Sequence, residues 1–243
     1  MSTIDLSRET SVEGMSPGLS AYVARPSTPG PWPGVVVVHE AFGIDDVMRR
    51  QVDRLAAAGY LAVMPDLFSQ GGARRCLRAT LSALRKGEGR AFTDIEAARA
   101  WLLDSDGCTG RIGVIGFCMG GGFALMVASG GGYDVAAPNY GVLPSDPDEA
   151  LAGACPVVAS YGGRDLALRG AAARLAASLD RVGVPHDVKE YPAAGHSFLN
   201  DGPIGPRWMR PLLKVTNVGP EPDSARDAWA RIEAYFDEHL RAG

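Results

Sequence analysis

The sequence predicts an α/β fold, a mostly parallel twisted sheet with helices on both faces, and three observations carry that reading. Apolar runs alternate with helical patterns along nearly the whole chain, beginning with Val35–His39, Ile44–Ala58 and Leu61–Met64. Those runs are continuous rather than alternating in polarity, as expected of strands covered on both sides. Ile112–Met126 reads as a buried strand that passes through a glycine turn into a helix, with Cys118 at the bend.

Taken in order, residues 10–24 read as an antiparallel hairpin around Gly14 and Ser16-Pro-Gly18, followed by a Pro-rich turn from Pro26 to Pro33. Val35–His39 is the first core strand and carries Glu40 at its end. The following helix places Val47, Met48, Val52 and Leu55 on one face, and Gly59 stops it. Leu61–Met64 is the next strand. Residues 69–92 are basic and less apolar, and we read them as an insertion over the site. Thr93-Asp-Ile-Glu96 has the pattern of a capping box, predicting a helix from there to about Leu103.

The strand Arg111–Gly116 leads into the Cys118 bend and a helix to Ser129. Strands follow at Val135–Tyr140, Pro156–Tyr161 and Asp187–Tyr191, with a helix over Gly170–Val182. Ser197–Pro222 is rich in Pro and Gly and reads as a long loop forming one wall of a pocket. A last helix begins near Ser224, paired with Asp227, and turns Trp229, Ile232, Tyr235, Phe236 and Leu240 inward.

The chain has 243 residues and no linker-like segment, so residues 1–243 are expected to form one domain. A net charge of −4 leaves no basic footprint for nucleic acid. No apolar run approaches the ~18 residues of a membrane span. The N-terminus lacks the apolar stretch of a signal peptide, which predicts a cytoplasmic protein. Cys76, Cys108, Cys118 and Cys155 show neither C-x-x-C pairing nor zinc-ligand spacing, and no metal is expected. The partner expected is a small molecule, and a monomer is favoured.

Gly116-Phe-Cys118-Met-Gly120 has the spacing of a nucleophile elbow, with a thiol in place of the hydroxyl. On its own the segment reads more readily as inert packing than as a nucleophile, because free cysteines are commonly buried. Three other residues change that balance. Glu40, Asp165 and His196 also lie just after predicted strands, and ligands of parallel sheets bind at the carboxyl ends of strands. A thiol nucleophile needs a base, and the base needs a partner that orients its ring. His196 fits the base and Asp165 the orienter. Asp165 also suits a turn or N-cap, and Glu40 could cap the helix after it. His39, His186 and His239 read as structural or surface residues.

The elbow, Tyr161-Gly-Gly-Arg-Asp165, Ala194-Gly-His-Ser-Phe198 and Val38-His-Glu-Ala-Phe-Gly-Ile44 together resemble the dienelactone hydrolase family, over roughly residues 10–240. The resemblance implies an α/β-hydrolase fold and a hydrolase of carboxylic esters or lactones. It implies a Cys118–His196–Asp165 triad working through a thioester acyl-enzyme, without metal or organic cofactor. Glu40 would contact the resting thiol and take part in its activation. Backbone N–H groups of Met119 and Ala41 would form the oxyanion hole.

Family members acting on dienelactone hold its carboxylate with arginines, one of them shortly after the catalytic histidine. Here no Arg follows His196 until Arg207, so the short cluster of Arg74, Arg75 and Arg78 supplies the candidates. Arg75, Arg78, Phe42 and Phe198 are the substrate-contacting set. The alternative function is a non-enzymatic binding or redox-sensing protein on the same scaffold, with Cys118 reacting without turnover. A serine peptidase or lipase is disfavoured by the cysteine and by the absence of a His-Gly-Gly-Gly loop.

Overall fold

The computed structural model describes residues 1–241, apart from the side chain of Arg74. Its centre is an eight-stranded sheet in the order β1-β2-β4-β3-β5-β6-β7-β8. In chain order the strands are β1 (Ser2–Asp5), β2 (Ser20–Ala24), β3 (Trp32–Val38), β4 (Leu61–Pro65), β5 (Cys108–Phe117), β6 (Val135–Asn139), β7 (Val157–Gly162) and β8 (His186–Tyr191). β1 and β2 run antiparallel at one edge, and β4 through β8 pair in parallel with β3 among them. Val35 to Val38 are wholly buried, as their β-branched, continuously apolar pattern requires.

Helices cover both faces: α1 (Asp46–Ala57), α2 (Ala73–Lys86), α3 (Arg90–Asp104), α4 (Met119–Val127), α5 (Pro147–Leu151), α6 (Ala171–Val182), α7 (Arg210–Val215) and α8 (Pro222–Arg241). α1 and α8 share a face, where Arg54 bonds Glu233 at 2.8 Å and lies over the Trp229 ring. On α8, Trp229, Ile232, Phe236 and Leu240 are buried, and Tyr235 is half-buried.

Five local expectations are corrected. The antiparallel partner of β2 is β1 at the N-terminus, not residues near Gly14; the 10–18 segment is a connection pinned by Ser16, whose N–H and hydroxyl bond the buried Asp94 carboxylate at 2.7 and 2.8 Å. The capping box at Thr93 is overridden, because α3 starts at Arg90 after Gly89, whose φ of 119° breaks the chain there. The basic 69–92 segment folds as α2, which packs on α3 and α4, with Leu84 against Gly122. α8 begins at Pro222, and Glu221, not Ser224, supplies the cap by accepting the Ser224 N–H at 2.9 Å. Asp227 instead binds Lys189 and Tyr191. The long loop after His196 contains the short helix α7.

Close backbone approach is concentrated where α4 begins. A Cβ on Gly120 would sit 2.0 Å from the Val38 carbonyl oxygen, whereas one on Gly130 would meet nothing within 4 Å. Gly120→Ala is expected to lower the unfolding free energy by about 3 kcal/mol, the upper end for over-packing, and Gly130→Ala to change it by less than about 0.5 kcal/mol. Urea unfolding of the two variants checks the contrast.

Candidate active site

The bend between β5 and α4 holds Cys118 at φ 55° and ψ −115°. A side chain in such a conformation costs roughly 1–3 kcal/mol, and it persists only where the surroundings enforce it. The enforcement is steric. Cβ atoms on Gly116 and Gly120 would collide with the Gly120 and Val38 carbonyl oxygens at 1.9 and 2.0 Å, so glycine alone lets helix and strands meet this closely. The Cys118 N–H donates to the Asn139 carbonyl at 3.1 Å, and the Asn139 amide donates to the Gly116 and Ala137 carbonyls. The end of β6 thus fixes the bend in β5.

Asp165 and His196 meet after β7 and β8. One Asp165 oxygen accepts the Ala167 N–H at 3.1 Å and caps a short 3-10 turn; the other accepts from His196 Nδ1 at 2.5 Å. Asp165 therefore both caps the turn and contacts the His196 ring. Burial opposes charge on the His196 ring, but the Asp165 hydrogen bond, followed by interaction with Cys118, outweighs it and lifts the pKa to about 10. The loop is anchored by a hydrogen bond from Gly219 N–H to the His196 carbonyl, and Gly195 lies against the Asn217 carbonyl so closely that no side chain would fit.

Glu40 lies two residues beyond β3, 2% exposed. Helix capping is not its role, because Asp45 caps α1 by accepting the Met48 N–H at 2.9 Å. Asn200 donates to the Glu40 carboxylate at 3.1 Å and in turn accepts from Gln51 at 3.3 Å. Burial raises the Glu40 carboxyl above its ordinary range, against the opposing influence of Ser197, His196 and Asn200. The Tyr140 and Ser197 hydroxyls stand close enough to influence this carboxyl, yet both lack a hydrogen bond of good geometry among the described residues. Tyr140 and Ser197 also have positive φ, at 40° and 59°.

Cys118, Asp165, His196 and Glu40 are thus gathered at one edge of the sheet, as their positions after strands predict. The N–H groups of Met119 and Ala41 have no hydrogen-bond partner among the described residues. The substrate-contacting set is less coherent. Phe198 is fully buried against the Tyr140 and Tyr191 rings and is core rather than pocket wall. Phe42 is half-buried against Gly205 in the loop after His196. Arg75 lines a recess with Ser16 and Gln70, and Arg78 a groove with Val142 and Leu143; neither recess is lined by Cys118 or His196. The Arg74 side chain lies outside the described residues.

A cavity of about 760 Å³ opens beside the His196 loop, lined by Arg164, Arg207, Arg210 and Lys214 with Glu221 as the one acid. Tyr140, Ser197 and Asn200 were not singled out from the sequence. The usable signal for Tyr140 was its position directly after a strand, the same criterion that found the others.

The sheet order and the helices on its two faces define an α/β-hydrolase. Comparison with known proteins narrows this. The chain belongs to the dienelactone hydrolase family, whose model matches residues 19–240. It is 29% identical to the carboxymethylenebutenolidase of Rhodococcus opacus, over 91% of this chain and 87% of that protein. It is 30% identical to a protein of Azospirillum brasilense provisionally given the same name, over 91% and 94% of the two chains. A crystal structure from Klebsiella pneumoniae, provisionally a dienelactone hydrolase, superposes with a TM-score of 0.76 at 25% identity, covering 91% of this chain and 94% of that one. Membership makes the protein a hydrolase of the ester and lactone type. Among the described residues no helix is long and apolar enough to cross a membrane.

The Asp165–His196 pair sets a pH dependence. The ring titrates near 6.5 when unpaired and near 10 in the fold, so its charged form adds stability that is complete below about 6.5 and is lost as pH rises to about 10. The stability difference between wild type and Asp165→Asn should therefore shrink between pH 6.5 and 10. Thermal unfolding across that range checks it; a constant or widening difference would contradict the assignment.

Proposed function

We propose that the protein hydrolyses carboxylic esters or lactones through a Cys118–His196–Asp165 triad and a thioester acyl-enzyme. The observation that carries this is the 2.5 Å contact of His196 Nδ1 with Asp165, which commits Nδ1 to the carboxylate and leaves Nε2 as the nitrogen for the thiol.

In this mechanism Glu40 accepts the Cys118 proton, the His196 imidazolium held by Asp165 faces the resulting thiolate through Nε2, and the sulfur attacks the substrate carbonyl carbon. The carbonyl electron pair moves to oxygen, where the Met119 and Ala41 N–H groups receive it; one such donor lowers a barrier by about 2.7–4 kcal/mol. When the intermediate collapses, the C–O bond to the leaving group breaks and the alkoxide takes the proton from Nε2. With a lactone, that hydroxyl stays tethered to the acyl group. Water, deprotonated by the now neutral Nε2, then attacks the thioester, the C–S bond breaks, the carboxylic acid departs, and the thiolate takes back the proton held by Glu40. Glu40 holds the resting thiol and helps remove its proton when substrate arrives; a carboxyl raised by burial suits proton exchange closer to neutrality.

The relatives' name, carboxymethylenebutenolidase, supports a lactone among the substrates. Asn200 engages Glu40, and no arginine follows His196 until Arg207, so selection by a carboxylate is not built in the way the family resemblance describes. We therefore assign a broad class of small esters and lactones. The enzyme works as one domain, without a cofactor, and its four free cysteines suit a reducing cytoplasm.

Steady-state assays with a chromogenic short-chain ester and with dienelactone test the reading. Wild type should turn over at least one of them, and Cys118→Ala should lose about 10³-fold or more in kcat. Full activity in Cys118→Ala would overturn it. Stoichiometric labelling of Cys118 without product release would favour the non-enzymatic alternative.

A further inference from the structure

His39 is wholly buried, yet the chemistry above makes no use of it. Its two nitrogens are both engaged. Nε2 lies 3.1 Å from the Leu67 N–H, which can only donate, so Nε2 must be the acceptor. Nδ1 lies 2.7 Å from the Glu40 carbonyl oxygen, which can only accept, so Nδ1 must carry the proton. The two contacts specify one neutral tautomer. A second proton on Nε2 would face the Leu67 N–H, and burial likewise favours the neutral ring against the opposing pull of the Glu40 carbonyl and then of Asp66 and Asp45. The edge of the imidazole packs on Phe68, with ring centroids 4.9 Å apart.

The Glu40 carbonyl and the Ala41 N–H belong to one peptide group. In a trans peptide these two bonds point in opposite directions, and rotating one rotates the other. Gly30-Pro31 is the only cis bond among the described residues, so the Glu40–Ala41 peptide is trans. Its oxygen is held twice, by His39 Nδ1 and by the Gly43 N–H at 3.0 Å. The Ala41 N–H is thereby turned away from the His39 ring, and it has no partner among the described residues.

We propose that His39 is a positioning residue for the oxyanion hole: by gripping the Glu40 carbonyl from a ring anchored on Leu67, it aims the Ala41 N–H at the reacting carbonyl. The inference rests on the reading that Ala41 is an oxyanion donor. Because the grip is on the other end of the same peptide, a loss of His39 is felt as a misdirected donor rather than as a missing one. Its effect should fall on kcat, where transition-state charge is stabilised, and leave KM nearly unchanged.

Two variants separate this from a merely structural role. His39→Leu removes both contacts. His39→Asn keeps an N–H donor near the Nδ1 position for the Glu40 carbonyl but cannot reach Leu67. Both should lose stability to a similar degree, since both leave the Leu67 N–H unpaired. Activity should diverge: kcat for a short-chain ester falls about 10²-fold in His39→Leu, the scale of a misplaced or lost oxyanion donor, and about 10-fold or less in His39→Asn. Equal kcat in the two variants would overturn the proposal.

Should His39→Leu fail to fold, nitrogen NMR of the wild-type imidazoles decides, with four histidines to assign. The proposal requires His39 to be neutral and protonated on Nδ1 throughout pH 6–9, and an Nε2-protonated or titrating ring would overturn it. Cys118→Ala assayed in parallel separates the two layers. Ester hydrolysis surviving in Cys118→Ala removes the catalytic reading and this inference with it. Hydrolysis that needs Cys118 but ignores His39 removes only this inference.

Discussion

Most of the site depends on one contact, the packing of Gly120 at the start of α4 onto the Val38 and His39 carbonyls at the end of β3. β3 and β5 are parallel neighbours with Val38 opposite Gly116. Continuing that register two residues places Glu40 beside Cys118. β5 and β6 pair with Phe117 opposite Asn139, so Tyr140 follows beside Cys118 on the other side. The sheet therefore delivers a thiol, a carboxyl and a phenol to one place by register alone. The glycines then allow the helix to turn back over them. Any side chain at Gly116 or Gly120 would drive α4 off the strands and carry the Cys118 bend with it.

The site also concentrates features that a fold selected only for stability would avoid. Cys118, Tyr140 and Ser197 are three of the four non-glycine residues with positive φ among those described. Glu40 is a buried carboxyl, and Asn200, Gln51 and His39 form a polar layer beneath it. Burying a carboxyl is unfavourable unless it is hydrogen-bonded, and Asn200 offsets only part of that cost. The orphaned Tyr140 and Ser197 hydroxyls add to the cost. In the proposed chemistry this polarity has a use: the carboxyl exchanges a proton with the thiol, and the neutral layer below holds the backbone donors still. Strain and buried polarity at such a site are tolerated because the surrounding strands over-determine it.

Much of this was legible from the amino acids. The parallel sheet followed from continuous apolar runs, and the four principal residues from their positions just after strands. Other parts were hidden for physical reasons. Thr93 to Glu96 satisfies a capping pattern, but Gly87 and Gly89 end α2 and start α3 three residues earlier, and Asp94 is taken up by Ser16 instead. Phe198 follows His196 closely and looks like a pocket residue, yet the positive φ at Ser197 turns the chain so that its ring enters the core. Asn200 and Tyr140 belong to no short motif, because their roles arise from cross-strand register and from tertiary contact with Gln51 and Glu40. His39 looked structural. Its link to the site appears only when the direction of a single peptide group is known.

The central claim is that the acyl group of the substrate passes through the sulfur of Cys118. The most direct measurement is acid quenching during turnover of a slowly deacylating ester, followed by proteolysis and mass spectrometry of the peptides. The account predicts the acyl mass on the peptide carrying Cys118, labile to hydroxylamine as a thioester is, and absent from the peptides carrying Cys76, Cys108 and Cys155. An acyl group on a serine or on Glu40, or turnover with an acyl-trapping burst and no modification of Cys118, would contradict it.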